Sequence, residues 1–248
     1  LDQVLLITGG GRGIGAATAL LAAKRGYAVA VNYASNSLAA DEVVRTIRAG
    51  GGTAMAVQAD VGDEAQVLAM FAKVDAKLGR LTALVNNAGV VDVQARVDEM
   101  SVARLERMFR INVIGSFVCA REAVRRMSTK HGGEGGAIVN ISSGAARIGS
   151  PGQYVDYAAS KAAIDTLTIG LAKEVATEGI RVNAVRPGLI DTEIHASGGM
   201  PDRAAELAPT VPMQRTGSPE EIASAILWLL SPEASYTTMA LLDVTGGR

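Results

Sequence analysis

VLLITGGGRGIGAATALLAAK, residues 4–24, runs from a short apolar stretch through clustered glycines into an alanine-rich segment. Residues 4–8 read as a buried strand, and residues 13–25 carry helical spacing. The glycines between them, Gly9, Gly13 and Gly15, can take positive φ and let backbone approach a ligand closely. Behind them a helix N-terminus presents free N–H groups and the positive end of a dipole. A strand, a glycine turn and a helix in this order predict a phosphate-binding site at the start of a βαβ unit.

Further along, short apolar runs alternate with longer amphipathic segments. Strands are expected at 28–33, 53–60, 83–89, 137–142, 180–188 and 239–244. Helices are expected at about 37–49, 63–79, 101–127, 153–178 and 218–230. Asp63 and Glu64 suit a helix first turn, and Ser218 followed by Pro219 suits an N-cap and first helical position. Strands that are apolar throughout, each followed by a helix, imply a parallel sheet covered on both faces. With right-handed crossovers this is an α/β doubly wound sheet of seven strands. No linker divides the chain, so residues 1–248 are expected to form a single domain. The irregular, Gly-, Pro- and Met-bearing stretch 193–217 is expected to be a substrate flap.

Composition narrows the function classes. A formal net charge of −1 offers no electrostatic footprint for nucleic acid or an acidic membrane. The lone cysteine, Cys119, excludes an intramolecular disulfide and fits a reducing, cytoplasmic setting as a buried thiol. Two histidines and one cysteine make no transition-metal site, and no apolar run is long enough to span a bilayer.

QYVDYAASKAA (153–163) supplies the chemistry. A phenol can donate a proton to a carbonyl oxygen as negative charge develops there, but free tyrosine has a pKa of about 10. A nearby ammonium lowers it. Residues four apart share a helix face, so Lys161 lies beside Tyr157, whereas Tyr154 has Ala158 at that offset and no cation. Spacing therefore selects Tyr157, and the expected effect of Lys161 is a lowered phenol pKa.

The turn TGGGRGIG, NNAG at 86–89, Tyr157-x-x-x-Lys161 and Pro187-Gly188 occur in order near successive strand ends. Together they resemble the classical short-chain dehydrogenase/reductase family, and the resemblance covers essentially the whole chain. It is similar to both 3-oxoacyl-carrier-protein reductases and glucose-1-dehydrogenase-like members. The resemblance implies a Rossmann-type domain that transfers a hydride between a nicotinamide dinucleotide and a carbonyl or secondary alcohol.

It also implies roles for individual residues. Tyr157 would be the proton donor or acceptor, with Lys161 also binding the nicotinamide ribose, and Asn112 would support a proton path behind the lysine. Ser143, the second serine of ISS, completes the catalytic set. One extra residue in GQYVDY accounts for its spacing of fourteen from Tyr157. Ser142 should point to the opposite face. Cofactor contacts are expected from Gly9, Arg12, Gly13, Ile14 and Gly15, and from Asp60 and Val61 at the adenine. Asn87, Ala88 and Gly89 follow strand four. Pro187, Gly188, Ile190 and Thr192 follow strand six, the last two at the carboxamide.

Where family members that prefer NAD carry an acid, at the end of strand two, this chain has Asn32 and Tyr33. With Arg12, Ser35 and Asn36 nearby, a 2′-phosphate would meet no like charge, so NADP(H) is expected over NAD(H). His195 is expected to be a polar flap residue that touches substrate at most. The resemblance implies a homotetramer built from the long helices and the C-terminal strand region. The alternative outside enzymology is a dinucleotide-binding redox sensor without turnover.

Overall fold

Val4 and Leu6 point into one apolar layer and Leu5 and Ile7 into the other, all four without solvent exposure. The alternation follows from strand geometry, and burying both sets requires cover on both faces. In the computed structural model, which describes residues 3–193, 198–200 and 202–248, helices provide that cover. Strands β1 (Val4–Ile7), β2 (Ala28–Tyr33), β3 (Ala54–Gln58), β4 (Ala83–Asn86), β5 (Gly136–Ile141), β6 (Ile180–Pro187) and β7 (Leu241–Val244) form one sheet. Its order is β3-β2-β1-β4-β5-β6-β7 and every pairing is parallel. The order reverses between β1 and β4, which opens a crevice at their carboxyl ends.

Helices α1 (Gly13–Lys24) and α2 (Ser37–Ala49) lie on the Leu5/Ile7 face. On the other face lie α3 (Glu64–Leu78), α4 (Val102–Phe109), α5 (Gly115–Met127) and α7 (Val155–Val175), with Phe71, Met70 and Met127 among the largest buried side chains. Each such side chain contributes about 1.5–3 kcal/mol on burial. Short α6 (Ala145–Ile148) follows β5. The stretch read as a flap contains α8 (Arg203–Leu207) and a 3-10 turn at Ala208–Thr210. Helix α9 (Pro219–Leu230) returns to pack on α1, opened by the Ser218–Glu221 capping box. Polar ties accompany the apolar ones. Asn86 and Asn140 are register partners on β4 and β5, and Asn86 Nδ2 donates to Asn140 Oδ1 at 2.9 Å. Asn140 Nδ2 in turn donates to Thr168 Oγ1 of α7 at 2.9 Å.

The sequence pattern predicts one helix over about 101–127, and the structure breaks it. Residues Arg110–Ile114 form a π-turn between α4 and α5. The cause is local. Asn112 Oδ1 accepts from the Val90 N–H at 2.8 Å, and its Nδ2 donates to the Val90 carbonyl at 2.9 Å, drawing the helix onto the loop after β4. Single π-turns of this kind concentrate at functional sites.

Gly15 lies where α1 enters the sheet, and a Cβ there would overlap the Gly9 carbonyl and sit 2.7 Å from Asn87 Nδ2. Gly15→Ala is therefore expected to lower unfolding free energy by about 1–3 kcal/mol or more, read as a shifted urea midpoint.

Candidate active site

The glycine turn is stitched down from both neighbouring strands. Asn87 Nδ2 donates to the carbonyls of Thr8 and Gly9 at 2.9 and 3.0 Å. Thr8 Oγ1 accepts from the N–H groups of Asn87 and Ala88, both at 3.0 Å. From β2, Asn32 Oδ1 accepts from the Gly9 N–H at 3.1 Å, and its Nδ2 donates to Ala59 O at 3.0 Å and Val57 O at 3.3 Å. Asn32, expected to face a ligand, thus spends its amide on the backbone that shapes the turn. Helices α2, α3, α4 and α9 each have a side chain accepting at the N-terminus, whereas Arg12, at the N-cap of α1, accepts nothing. The first N–H groups of α1 are left for an anion.

One cleft of about 700 Å³ runs from this turn to the β5–β6 ends. It is lined by Gly9, Arg12, Gly13 and Ile14, by Asn32, Tyr33, Ser35 and Asn36, and by Asp60, Val61, Asn87, Ala88 and Gly89. At its other end stand Ser143, Tyr157, Lys161, Pro187, Gly188, Ile190 and Thr192. Of the residues singled out in the sequence, Gly15 and Asn112 do not line it: both lie behind the wall and shape it. His195 lies outside the described residues.

Some side chains have local duties as well. Asn36 Oδ1 caps α2 through the Ala39 N–H at 3.1 Å, and Asp60 Oδ1 accepts from the Gly62 N–H at 2.8 Å. Thr192 packs on the turn, its Cγ2 3.3 Å from where Gly13 would carry a Cβ. Sequence reasoning missed Val91, Ile148, Leu189 and Thr245, which also line the cleft. Val91, Leu189 and Thr245 are apolar or small residues in loops whose path no periodicity reveals, and Ile148 ends the short α6.

The proton-handling groups converge. Ser143 stands beside the Tyr157 hydroxyl and acts to lower its pKa, while its Oγ accepts from the Ala145 N–H at 3.1 Å. Ser142 is buried in the cleft wall and its Oγ donates to the Lys161 carbonyl at 3.1 Å. Both serines lie beyond the end of β5 and turn toward α7, so the strand alternation expected to part them does not apply. Lys161 Nζ lies 5.6 Å from the Tyr157 ring centroid and donates to the Ile141 carbonyl at 2.7 Å. Asn112 Nδ2 reaches Ser160 Oγ at 3.1 Å, one residue before the lysine. Gly89 keeps this space open, since a Cβ there would stand 3.4 Å from Lys161 Nζ and 3.5 Å from Asn112 Oδ1.

The family model described as enoyl-(acyl carrier protein) reductase matches residues 9–248. The uncharacterized oxidoreductase YgfF of Escherichia coli K12 is 57% identical over 245 residues, covering 99% of each chain. A 3-oxoacyl-[acyl-carrier-protein] reductase of Synechocystis is 40% identical, over 99% of this chain and 96% of that one. The solved short-chain type dehydrogenase/reductase of Mycobacterium marinum superposes with a TM-score of 0.92 at 37% identity, covering 99% of this chain and 95% of that one. The chain belongs to the short-chain dehydrogenase/reductase family. Membership makes it an oxidoreductase acting on alcohol or carbonyl groups and implies a nicotinamide dinucleotide cofactor. The glycine turn and the uncapped α1 N-terminus fit the phosphates of such a group. Among the described residues no cluster of His, Cys, Asp or Glu could hold a metal ion, and no helix is long and apolar enough to cross a membrane. Cys119 is fully buried, and burial pushes its thiol up to about 12.

In this short-chain dehydrogenase/reductase the electrostatics of the pair differ from the sequence expectation. Burial raises the Tyr157 pKa, and Ser143 only partly offsets it. Burial acts on the lysine as well. Only 4% exposed, its ammonium is pushed down to about 8, with Asp165 one turn along α7 pulling it back up. Asp165 is itself held by Arg186 at 2.8 Å.

A lysine pKa depressed in the folded state means that the unfolded chain binds more protons between about 8 and 10.5. The buried charge therefore costs stability at neutral pH, and the cost fades as pH rises through that window. Lys161→Met in the cofactor-free protein is expected to raise Tm by about 2–5 °C at pH 7 and to lose most of that gain by pH 10, measured by calorimetry.

Proposed function

We propose that this chain transfers a hydride between NADP(H) and a carbonyl or secondary alcohol, with Ser143, Tyr157, Lys161 and Asn112 as its catalytic set. The observation that carries the proposal is that Ser143, Tyr157 and the buried Lys161, 5.6 Å from the Tyr157 ring, line the same crevice as the glycine turn. The nicotinamide, when bound, supplies or accepts the hydride.

The side chains handle the proton. In reduction, Tyr157 gives its hydroxyl proton to the substrate oxygen, and Ser143 donates a hydrogen bond that holds that oxygen in place. Lys161 has three donors and spends one on Ile141, which leaves the others for the nicotinamide ribose and for stabilising the phenolate as it forms. Asn112, on its π-turn, holds the polar path behind the lysine. Ile190 and Thr192 would meet the carboxamide, and Asp60 and Val61 the adenine. Tyr157→Phe is expected to cut ketone reduction about a hundredfold or more while dinucleotide binding persists. Unchanged reduction across a ketone panel would refute the role. A sensing role without turnover has no observation in its favour.

Preference for NADP(H) rests on Arg12, Tyr33, Ser35 and Asn36. Arg12 is exposed beside the turn, makes no ion pair with a described residue, and faces no carboxylate at the end of β2. We expect kcat/KM with NADPH to exceed that with NADH by about tenfold or more, and Arg12→Ala to erase most of the difference. Equal use of both cofactors would refute this.

The active unit is taken as one domain, residues 1–248, working in the cytoplasm as a homotetramer. Val102, Phe109, Ile114 and Phe117 are exposed on α4 and α5 and the π-turn between them, and Trp228, Tyr236 and Met239 on the C-terminal side. Two such apolar patches suit two interfaces. Sedimentation velocity should show tetramers, and Phe117→Asp should shift them to a smaller species.

A further inference from the structure

Asp156, the aspartate of YVDY, is a buried carboxylate immediately before Tyr157, and its partner is on another helix. Arg104 of α4 forks onto it, Nε to Oδ2 at 2.7 Å and Nη2 to Oδ1 at 3.2 Å, with side-chain exposures of 10% and 0%. The third guanidinium nitrogen of Arg104, Nη1, donates to the Val93 carbonyl at 2.7 Å. All three nitrogens are thus engaged. One planar group joins the first turn of the catalytic helix to the loop after β4.

The same face of α4 grips that loop elsewhere. Arg107 pairs with Asp92 at 3.3 Å, and Asn112 holds both backbone groups of Val90. The Ala95 N–H also donates to the Gln153 carbonyl at 3.0 Å, closing the loop onto the residue before Tyr154. On its other side this loop carries the segment Gly198–Met200. A Cβ at Gly198 would lie 3.3 Å from both Val91 Cγ1 and the Tyr154 hydroxyl, and one at Gly199 would lie 3.6 Å from Val93 Cγ1. Gln94 Nε2 donates to the Met200 sulfur at 2.6 Å. Val91, Tyr154 and Gly198 all line the cleft at its Tyr157 end.

A buried ion pair is a poor source of stability, because a well-packed apolar pair often does as well. Its geometric effect is more specific. A bidentate fork with a third bond from the same planar group fixes two elements relative to each other, and lysine cannot reproduce it.

We propose that Arg104 is the positioning residue for the substrate side of the cleft. By holding Asp156 and Val93 together it sets the distance between Tyr157 and the wall formed by Val91, Tyr154 and Gly198, and so determines which carbonyl substrates fit. This inference rests on the hydride-transfer reading for its substrate and on geometry alone for the wall.

Two variants test it. Arg104→Lys keeps a cation beside Asp156 but loses the fork. The double variant Arg104→Met/Asp156→Leu removes both charges, so no buried carboxylate is left unpaired. Both should bind NADPH, titrated by its fluorescence, within about twofold of the unmodified protein, while kcat/KM on a reduced ketone falls about tenfold or more, mainly through KM. Amide hydrogen exchange at 90–95 and 198–200 should quicken about tenfold, with β1 and β5 unchanged. A kcat/KM within twofold together with unaltered exchange would overturn the proposal. So would NADPH affinity falling in step with KM, which would mean general disruption. If the unmodified protein reduces no ketone, the hydride-transfer reading fails separately, and the exchange measurement decides the role of Arg104: faster exchange confined to those two segments supports it, and unchanged exchange overturns it.

Discussion

Everything at the carboxyl ends of the strands depends on one close approach, the packing of Gly15 against Gly9, Gly10 and Asn87. Because no side chain intervenes, the N-terminus of α1 descends to the level of the strand ends, with its N–H groups aimed into the crevice between β1 and β4. Thr8, Asn32 and Asn87 then fix the turn from three strands through hydrogen bonds of 2.9–3.1 Å. The turn is rigid because its own polar groups are used up, and what remains unbonded faces the ligand.

The second constraint is the burial of Lys161. An ammonium in that position needs partners, and the protein supplies one carbonyl directly and one carboxylate a turn away. The incomplete supply leaves the lysine near its titration range and the neighbouring phenol above its ordinary value. The buried chain from Asn86 through Asn140 to Thr168 holds β4, β5 and α7 in the register that brings Lys161 and Tyr157 to this point.

Much of this was legible in the chain. Parallel strands announce themselves as unbroken apolar runs, and all seven expected strands are observed, with β4 ending three residues early where its loop takes over and β7 starting two residues late. The pairing of Tyr157 with Lys161 follows from helix periodicity. The opposite facing expected of Ser142 and Ser143 fails because both lie past the end of β5, where the chain turns toward α7. Contacts between elements distant in sequence were not legible. Asn32 reads as a ligand-facing polar residue until β3 and the glycine turn are seen to claim its amide. The helix over 101–127 reads as continuous because nothing in its own periodicity shows that Asn112 is tied to Val90.

By itself, the sequence determined the strand–turn–helix plan, the layering of the sheet and the placing of Lys161 one helical turn from Tyr157, because these rest on periodicity and on neighbours a few residues away. Only the tertiary structure decided the burial of Lys161, the break in the long helix and the partner of Asp156. Each of these depends on elements packing together across 20 to 52 residues of chain.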